Sequence, residues 1–547
     1  MIQISPHPNL RPHFLSKALL FSKHSYLKFL KNRPRHLKKL QVERFTSIDD
    51  ELKDFKAIGI HIKRLTQSTK SIQHVDLTQF PQKSIPNFIH KDMLKRFLKI
   101  KKLTQICTPT AFKSLYINYL YIKRLKNLRS LALVGPDWHF RREVEDIKEV
   151  SWKFFQYLQK IKLGKFEWKL GDKQPPSYNL VNFPQYPSSL EACSVSCGSN
   201  PLVLREMKNI HQLLNLTHMK NLKAFQIQTP LTIDLFIHLL ESLPQQIQTL
   251  AFNIQTNLFF KMALQERKKY QENFKPVTTR LRLAKFLKLE HLSMTLSPYI
   301  DVFSMNESRL KSLTMDTEIF HVENLMGLKG LIGQHETSLE SLNLKICFKA
   351  ENDPKALSQF IEKICEPVEV ISRLKKLKVL SLTFTIFSDW GVSRYKLPAQ
   401  EGLLSSLSVL INGLNEMKDL RELRLNHDDA DFRTNFEGFF GAIQKRSNRL
   451  EVLEITLNGY HIKEKDLGIL VKSLAHLKFL EVLKLRDFCV DDAGFFERFA
   501  EAVHRCSRLR SLEISNYRMS FMGCNPKGVL KMFRRIFSKD QFDSYLF

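Results

Sequence analysis

The sequence predicts an α/β fold: a curved solenoid with parallel strands on its concave face and helices on its convex face. Two recurring patterns predict it. The first is a hexad, L-x-x-L-x-L, cleanest at Leu420–Leu425, Leu450–Ile455, Leu480–Leu485 and Leu509–Ile514, whose starts lie 30, 30 and 29 residues apart. A fixed period of this size is the mark of a repeat array. The second lies between the hexads, where apolar residues fall at i, i+3, i+4 and i+7. Phe436, Phe439, Phe440 and Ile443 do so, as do Leu467, Leu470, Val471 and Leu474, and Phe496, Phe499, Ala500 and Val503. Leu357, Phe360, Ile361 and Ile364 repeat it, as do Phe236, Leu239, Leu240 and Leu243. That spacing gathers four side chains on one helix face.

Each unit is thus strand, loop, amphipathic helix, loop. Strands joined through helices run parallel, and such crossovers are right-handed. Weaker hexads extend the array backwards, starting at Leu377, Leu339, Leu310, Leu289, Ile247, Leu222, Leu190 and Leu128, with Ile72 and Leu37 before them. The stretch 79–127 and the segment Leu163-x-x-Phe166-x-Trp168 do not resolve by pattern. Gly171 to Ser189, with four prolines, reads as a loop, as does Phe387 to Gly402 with Trp390. The charged stretch Asn257 to Phe286 has room for an extra helix.

These hexads and intervening helices resemble the leucine-rich-repeat superfamily, in the longer, helix-containing form typified by ribonuclease inhibitor. The resemblance covers 128–515 and extends to 37–515 with the degenerate copies. The family often places Asn or Cys at the ninth position. Asn458 and Cys347 fit that slot, whereas Pro136, Pro230, Asp428 and Phe488 depart from it, which predicts an irregular array. The resemblance implies a non-catalytic protein-interaction scaffold. Many proteins of this kind are substrate-recognition adaptors in ubiquitin ligation, although the basic N-terminal region shows no Leu-Pro opening of an F-box. Three parts follow: a basic N-terminal region with cap and degenerate repeats (1–127), the solenoid (128–515), and a C-terminal cap with a basic amphipathic helix (516–547).

The 547 residues carry a formal charge of +30, distributed unevenly. Residues 1–130 hold 27 Lys/Arg against 7 Asp/Glu, whereas 401–547 hold 23 against 21. The basic start points to an acidic partner or nucleic acid there, which makes a nucleic-acid or ribonucleoprotein association the alternative function. Residues 1–42 contain no acid at all; a capping or pairing segment, an anion-binding arm and a transit peptide all fit. No apolar run approaches the roughly 18 residues of a membrane span. Eight scattered cysteines read as small buried hydrophobes in a reducing compartment, so the expected setting is intracellular, cytoplasmic or nuclear.

No phosphate-binding glycine loop, nucleophile elbow or H-E-x-x-H zinc motif is present. Neither catalysis nor a cofactor or metal is expected. The acidic groups Asp428, Asp429, Asp431 and Asp491, Asp492 read as turn and helix-cap residues. Binding residues are sought at the outward third, fifth and seventh hexad positions. In the middle of the chain these are mostly small and uncharged; at the C-terminal end they carry mixed charge. The candidate partner-binding residues are Glu422, Arg424, Asn426, Glu454, Thr456, Val482, Lys484, Arg486 and Glu513.

Overall fold

The computed structural model describes residues 2–5, 39–42, 73–76, 104–109, 127–134, 156, 158–159, 161–169, 183–196, 210–228, 231, 233–253, 279–296, 300–304, 309–319, 323–350, 354–388, 406–427, 432–445, 449–489 and 495–516. Most of the basic N-terminal region, the C-terminal basic helix, Trp390 and the acidic groups at 428–431 and 491–492 lie outside the described residues. The chain divides into two units, Met1–Leu258 and Phe259–Phe547.

In the first unit the strands are β1 (Ile2–Ser5), β2 (Lys39–Val42), β3 (His74–Asp76), β4 (Gln105–Pro109), β5 (Ser130–Val134), β6 (Lys165–Lys169), β7 (Ala192–Ser196), β8 (Ala224–Ile227) and β9 (Thr249–Asn253). Helix α1 (Ile210–Leu213) precedes β8, and α2 (Ile233–Ser242) precedes β9. β1 pairs antiparallel with β2, and from β2 to β9 every strand pairs parallel with the next. The fourth hexad position stays in register throughout: Leu40, Val75, Ile106, Leu131, Phe166, Cys193, Phe225 and Leu250 lie side by side.

The two segments whose pattern was unresolved thus each contribute a rung, β4 within the stretch 79–127 and β6 at Leu163-x-x-Phe166-x-Trp168. The stretch expected to be a loop over Gly171 to Ser189 carries a 3-10 turn at Phe183–Gln185. It delivers Phe183 and Tyr186 to the core, both almost fully buried. Tyr186 meets Phe166 edge-on at 5.3 Å between ring centroids, and Phe183 meets Phe225 at 5.6 Å. These rings fill the space that a helix face fills elsewhere.

The second unit begins with β10 (Thr279–Arg282), β11 (His291–Leu296) and β12 (Ile300–Ser304). β10 pairs parallel with β12 as a separate two-stranded piece. The described end of the stretch expected to hold an extra helix is thus a strand and a 3-10 turn, Leu283–Lys285. The main ladder runs from β11 through β13 (Ser312–Ile319), α3 (Glu323–Gln334), β14 (Ser341–Ala350), α4 (Pro354–Ser372), β15 (Val379–Ser388), α5 (Ser406–Leu414), β16 (Glu422–His427), α6 (Phe432–Lys445), β17 (Val452–His461), α7 (Glu464–His476), β18 (Val482–Cys489), α8 (Phe495–His504) and β19 (Ser511–Asn516). All of its strand pairs are parallel. Leu292, Leu313, Leu342, Leu380, Leu423, Leu453, Leu483 and Leu512 occupy one row, and all are buried.

Strand side chains alternate faces. The leucine face is covered by the helices, with Phe436, Phe439, Phe440 and Ile443 buried on α6, and Leu467, Leu470 and Leu474 buried on α7 while Val471 is half-buried. From α3 to α8 each helix packs on the next. Helices pack about 8–10 Å apart and strands about 4.8 Å, so a ladder with helices on one side bends toward its strands.

At the ninth position of the repeat Cys347 fits the expected slot and Phe488 departs from it, with a local cause. Cys347, at a ninth position, is buried. Phe488 is fully buried in the equivalent place on β18. It gets there through an irregularity between Leu485 and Phe488, with Asp487 in the left-handed region at φ 53°. Asp tolerates that conformation better than most residues. The extra residue turns Phe488 inward where strict alternation would have turned it out.

Candidate functional site

The predicted binding residues stand on β16–β19, on the face opposite the leucines. Their buried neighbours Leu423, Leu425, Leu453, Ile455, Leu483 and Leu485 alternate with them. Register brings equal hexad positions together: Arg424 opposite Glu454, Glu454 opposite Lys484, and Lys484 opposite Glu513.

The charged members join in one cross-strand chain. Arg424 reaches Glu422 at 2.7 Å and Glu454 at 3.2 Å. Lys484 meets the same Glu454 oxygen at 3.2 Å and Glu513 at 3.9 Å. Arg486 donates two hydrogen bonds to Glu513, from Nε at 2.7 Å and Nη2 at 2.9 Å. A two-pronged guanidinium–carboxylate pair of this kind fixes geometry as well as charge. Glu454, at the centre, is the least exposed member. Three acids and three bases make the strip neutral. Asn426 and Thr456 sit in register at its margin, and Val482 is half-buried beside Val452 and Ser511. Further along the same face, Lys345 pairs with Asp316 at 2.8 Å across β13 and β14, a pair that sequence reasoning did not place in the site.

A second set of ion pairs runs along the hexads' second positions, and it clips the rungs two by two. Glu290 binds Lys311 at 3.0 Å, Glu340 binds Lys378 at 2.6 Å, Arg421 binds Glu451 at 3.5 Å and Glu481 binds Arg510 at 3.7 Å. In the first unit Glu191 binds Lys223 at 3.1 Å. The backbone repeats at this point too. The second-position carbonyl accepts from two successive amides of the next rung, as Arg421 does from Glu451 at 2.7 Å and Val452 at 3.0 Å. Opposite signs at this position fall in successive pairs of rungs, which the sequence shows once equal positions are known to meet.

The Arg486 hydrogen bonds hold the Glu513 carboxyl below the usual carboxylate range. Lys363 and Lys329 do the same for Glu366, and Lys378 for Glu340. A carboxyl whose pKa is lower folded than unfolded stabilises the protein above the unfolded value, about 4.3 for Glu, and loses that contribution as pH falls through the folded value. Stability is therefore expected to hold near neutrality and to fall on acidification below about pH 4.3. Urea midpoints measured across pH check this, and Arg486→Ala is expected to shrink the acid-dependent part. These side chains are part-exposed, so removing the Glu454 charge with Glu454→Gln, which weakens its pairs with Arg424 and Lys484, should change stability by about 1 kcal/mol, read from the same midpoints.

Burial pushes the Cys506 thiol up to about 11 and the Cys193 thiol higher still. Both are packing residues rather than nucleophiles. Among the described residues no group of His, Cys, Asp and Glu side chains could hold a metal ion, and no helix is long and apolar enough to cross a membrane.

The class this ladder defines is an α/β solenoid, parallel strands in register on one face and helices on the other. No family model and no curated protein matches the chain. Among solved structures, an internalin of Listeria monocytogenes is similar over 85% of this chain and 94% of that one, at 12% identity and a TM-score of 0.30. The Rad7 and Elc1 complex of yeast is similar over 66% of this chain and 80% of that one, at 17% identity and a TM-score of 0.34. Neither likeness bears on function at these scores.

Proposed function

We propose that this chain is a non-catalytic scaffold that binds a protein partner on the strand face of β16–β19. The supporting observation is the neutral chain of ion pairs from Glu422 to Glu513 across four rungs. Side chains already held in place lose little freedom on binding. Alternating charge selects a partner's identity and register more than it adds affinity. The partner that fits is a protein surface whose own charges alternate to match.

In this reading residues 128–515 present the face, while 1–127 and 516–547 close the ends, since terminal repeats need covers for their exposed core. The helices between rungs favour the ribonuclease-inhibitor-like form, and a substrate-recognition adaptor is the particular role we assign. Cys193 and Cys506, which form no disulfide, suit an intracellular, reducing setting.

The test is affinity purification with mass spectrometry. The wild-type chain is compared with a variant carrying Glu422→Ala, Arg424→Ala, Lys484→Ala and Arg486→Ala. The variant is expected to lose the partners that the wild type recovers. Unchanged recovery would place the binding site elsewhere.

A further inference from the structure

In the second unit several of the turns that lead into a ladder strand carry exposed cations just before the first leucine of the hexad, whereas the turn before β14 carries Glu336 instead. Arg309 precedes Leu310, Lys375 and Lys376 precede Leu377, Lys418 stands two before Leu420, Lys478 two before Leu480, and Arg508 precedes Leu509. Equal hexad positions stack from rung to rung, so these residues share one edge of the ladder. From β13 to β19 it covers six steps of about 4.8 Å, roughly 29 Å.

Two exposed acids, Glu336 and Glu416, stand in these turns beside the cations, and the other acids near the edge are engaged. Glu290, Glu340, Glu451 and Glu481 are bound to second-position cations, and Asp419 is bound to Arg449. The six cations above have no ion pair among the described residues; Arg508 lies over the Phe479 ring at 4.5 Å. The helix macrodipole does not account for them. Its influence is confined to the last helical turn, and these residues follow the helix ends at Ser372, Leu414, His476 and His504.

We infer that this edge is a second interaction surface, separate from the β16–β19 face, and that it takes the sugar–phosphate backbone of a nucleic acid. Two observations favour nucleic acid over an acidic protein. Protein interfaces draw their affinity from buried aromatic or aliphatic anchors. Among the described residues from 309 to 516, the large hydrophobic side chain left exposed is Met326, on α3 and not on these turns. A row of cations without apolar anchors is instead what phosphate binding needs, because its affinity comes from counterion release. Among the described turn residues Phe479 is half-buried beneath Arg508 and offers no open stacking face, which makes a duplex, held by its backbone and without base readout, the fitting form.

The experiment uses the full chain and a labelled DNA duplex of about 20 base pairs, titrated between about 50 mM and 200 mM salt. Three proteins are compared: the wild type; an edge variant with Arg309, Lys375, Lys376, Lys418, Lys478 and Arg508 each changed to Gln; and a control of equal charge loss on β6 and the helices, away from these turns, with Lys169, Lys329, Lys363, Lys465, Lys472 and Arg498 changed to Gln. The wild type is expected to bind with steep salt dependence. The edge variant should bind at least about tenfold more weakly at low salt, its log–log slope shallower by about 0.9 for each phosphate it no longer neutralises. The control should keep both affinity and slope. In parallel, bound duplex should protect Lys375, Lys376, Lys418 and Lys478 of the unmodified protein from acetylation, a readout that needs no variant to fold. Three results would each overturn the inference: no binding by the wild type at low salt, equal binding by the edge variant without lysine protection, or displacement of the duplex by an equally charged polyglutamate at matching concentration. The β16–β19 residues are untouched in both variants, so loss of protein partners and loss of duplex binding report on different surfaces.

Discussion

Replacing Phe440 by alanine is expected to destabilise the second unit by about 3–5 kcal/mol, the usual cost of emptying a fully buried aromatic site. Phe440 is completely buried on α6, tilted against Phe436 at 4.6 Å between centroids and edge-on to Phe439 at 5.3 Å. Its backbone is committed as well: the Phe440 carbonyl accepts a hydrogen bond from the buried Ser473 hydroxyl of α7 at 3.2 Å. Neighbouring rungs hold the surrounding backbone, so the cavity has little means of collapsing. In a repeat array each unit leans on its neighbours, and the damage should be felt first in β16–β18. Hydrogen exchange of the β16, β17 and β18 amides, with the denaturation midpoint, measures it. Faster exchange confined to the first unit would contradict the packing described.

Gly413→Ala is the second large effect. Gly413 lies in α5 with its back against the Cα and Cβ of Ser372, the last residue of α4, and a methyl group there would also stand 3.0 Å from the Ser372 carbonyl oxygen. The obstacle is backbone rather than a flexible side-chain end, so α4 and α5 must part. Overpacking of this kind costs about 1–3 kcal/mol, against which alanine's better helix propensity returns only about 1 kcal/mol. Gly441→Ala on α6 supplies the contrast. Nothing stands within 4 Å of the added carbon there, so that substitution is expected to be neutral or stabilising. Thermal midpoints of the two variants should move apart; equal midpoints would show that α4 and α5 are not closely packed.

The hexads revealed the strand face because the helices demand large apolar side chains at positions four and six of every rung. The same demand explains where pattern reading stopped. At Leu163-x-x-Phe166-x-Trp168 the positions are filled by aromatics, which pack as well as leucine in a wider space. At β4 the sixth position is Thr108, beside Leu133 of the next strand, and the pattern thins to Leu103 and Ile106. The 3-10 turn at Phe183–Gln185 was hidden by prolines that read as loop, although Phe183 and Tyr186 fill the core beside it.

The outward positions were also legible, since strand parity fixes them once one leucine is placed. Their pairing was less so. Whether Glu454 serves Arg424, Lys484 or both depends on how long side chains settle across two neighbouring strands. That information lies in the register and not in any one hexad.

Register is therefore the claim on which the fold, the binding face and the basic edge all depend, and cysteine cross-linking measures it directly. Adjacent strands stand about 4.8 Å apart and strands two rungs apart about 9.6 Å, whereas a disulfide needs Cα atoms within about 4.4–6.8 Å. Under mild oxidation, Glu454→Cys with Lys484→Cys is predicted to cross-link within the chain, and Glu454→Cys with Glu513→Cys is predicted not to. Cross-linking of the second pair in preference to the first would contradict the ladder.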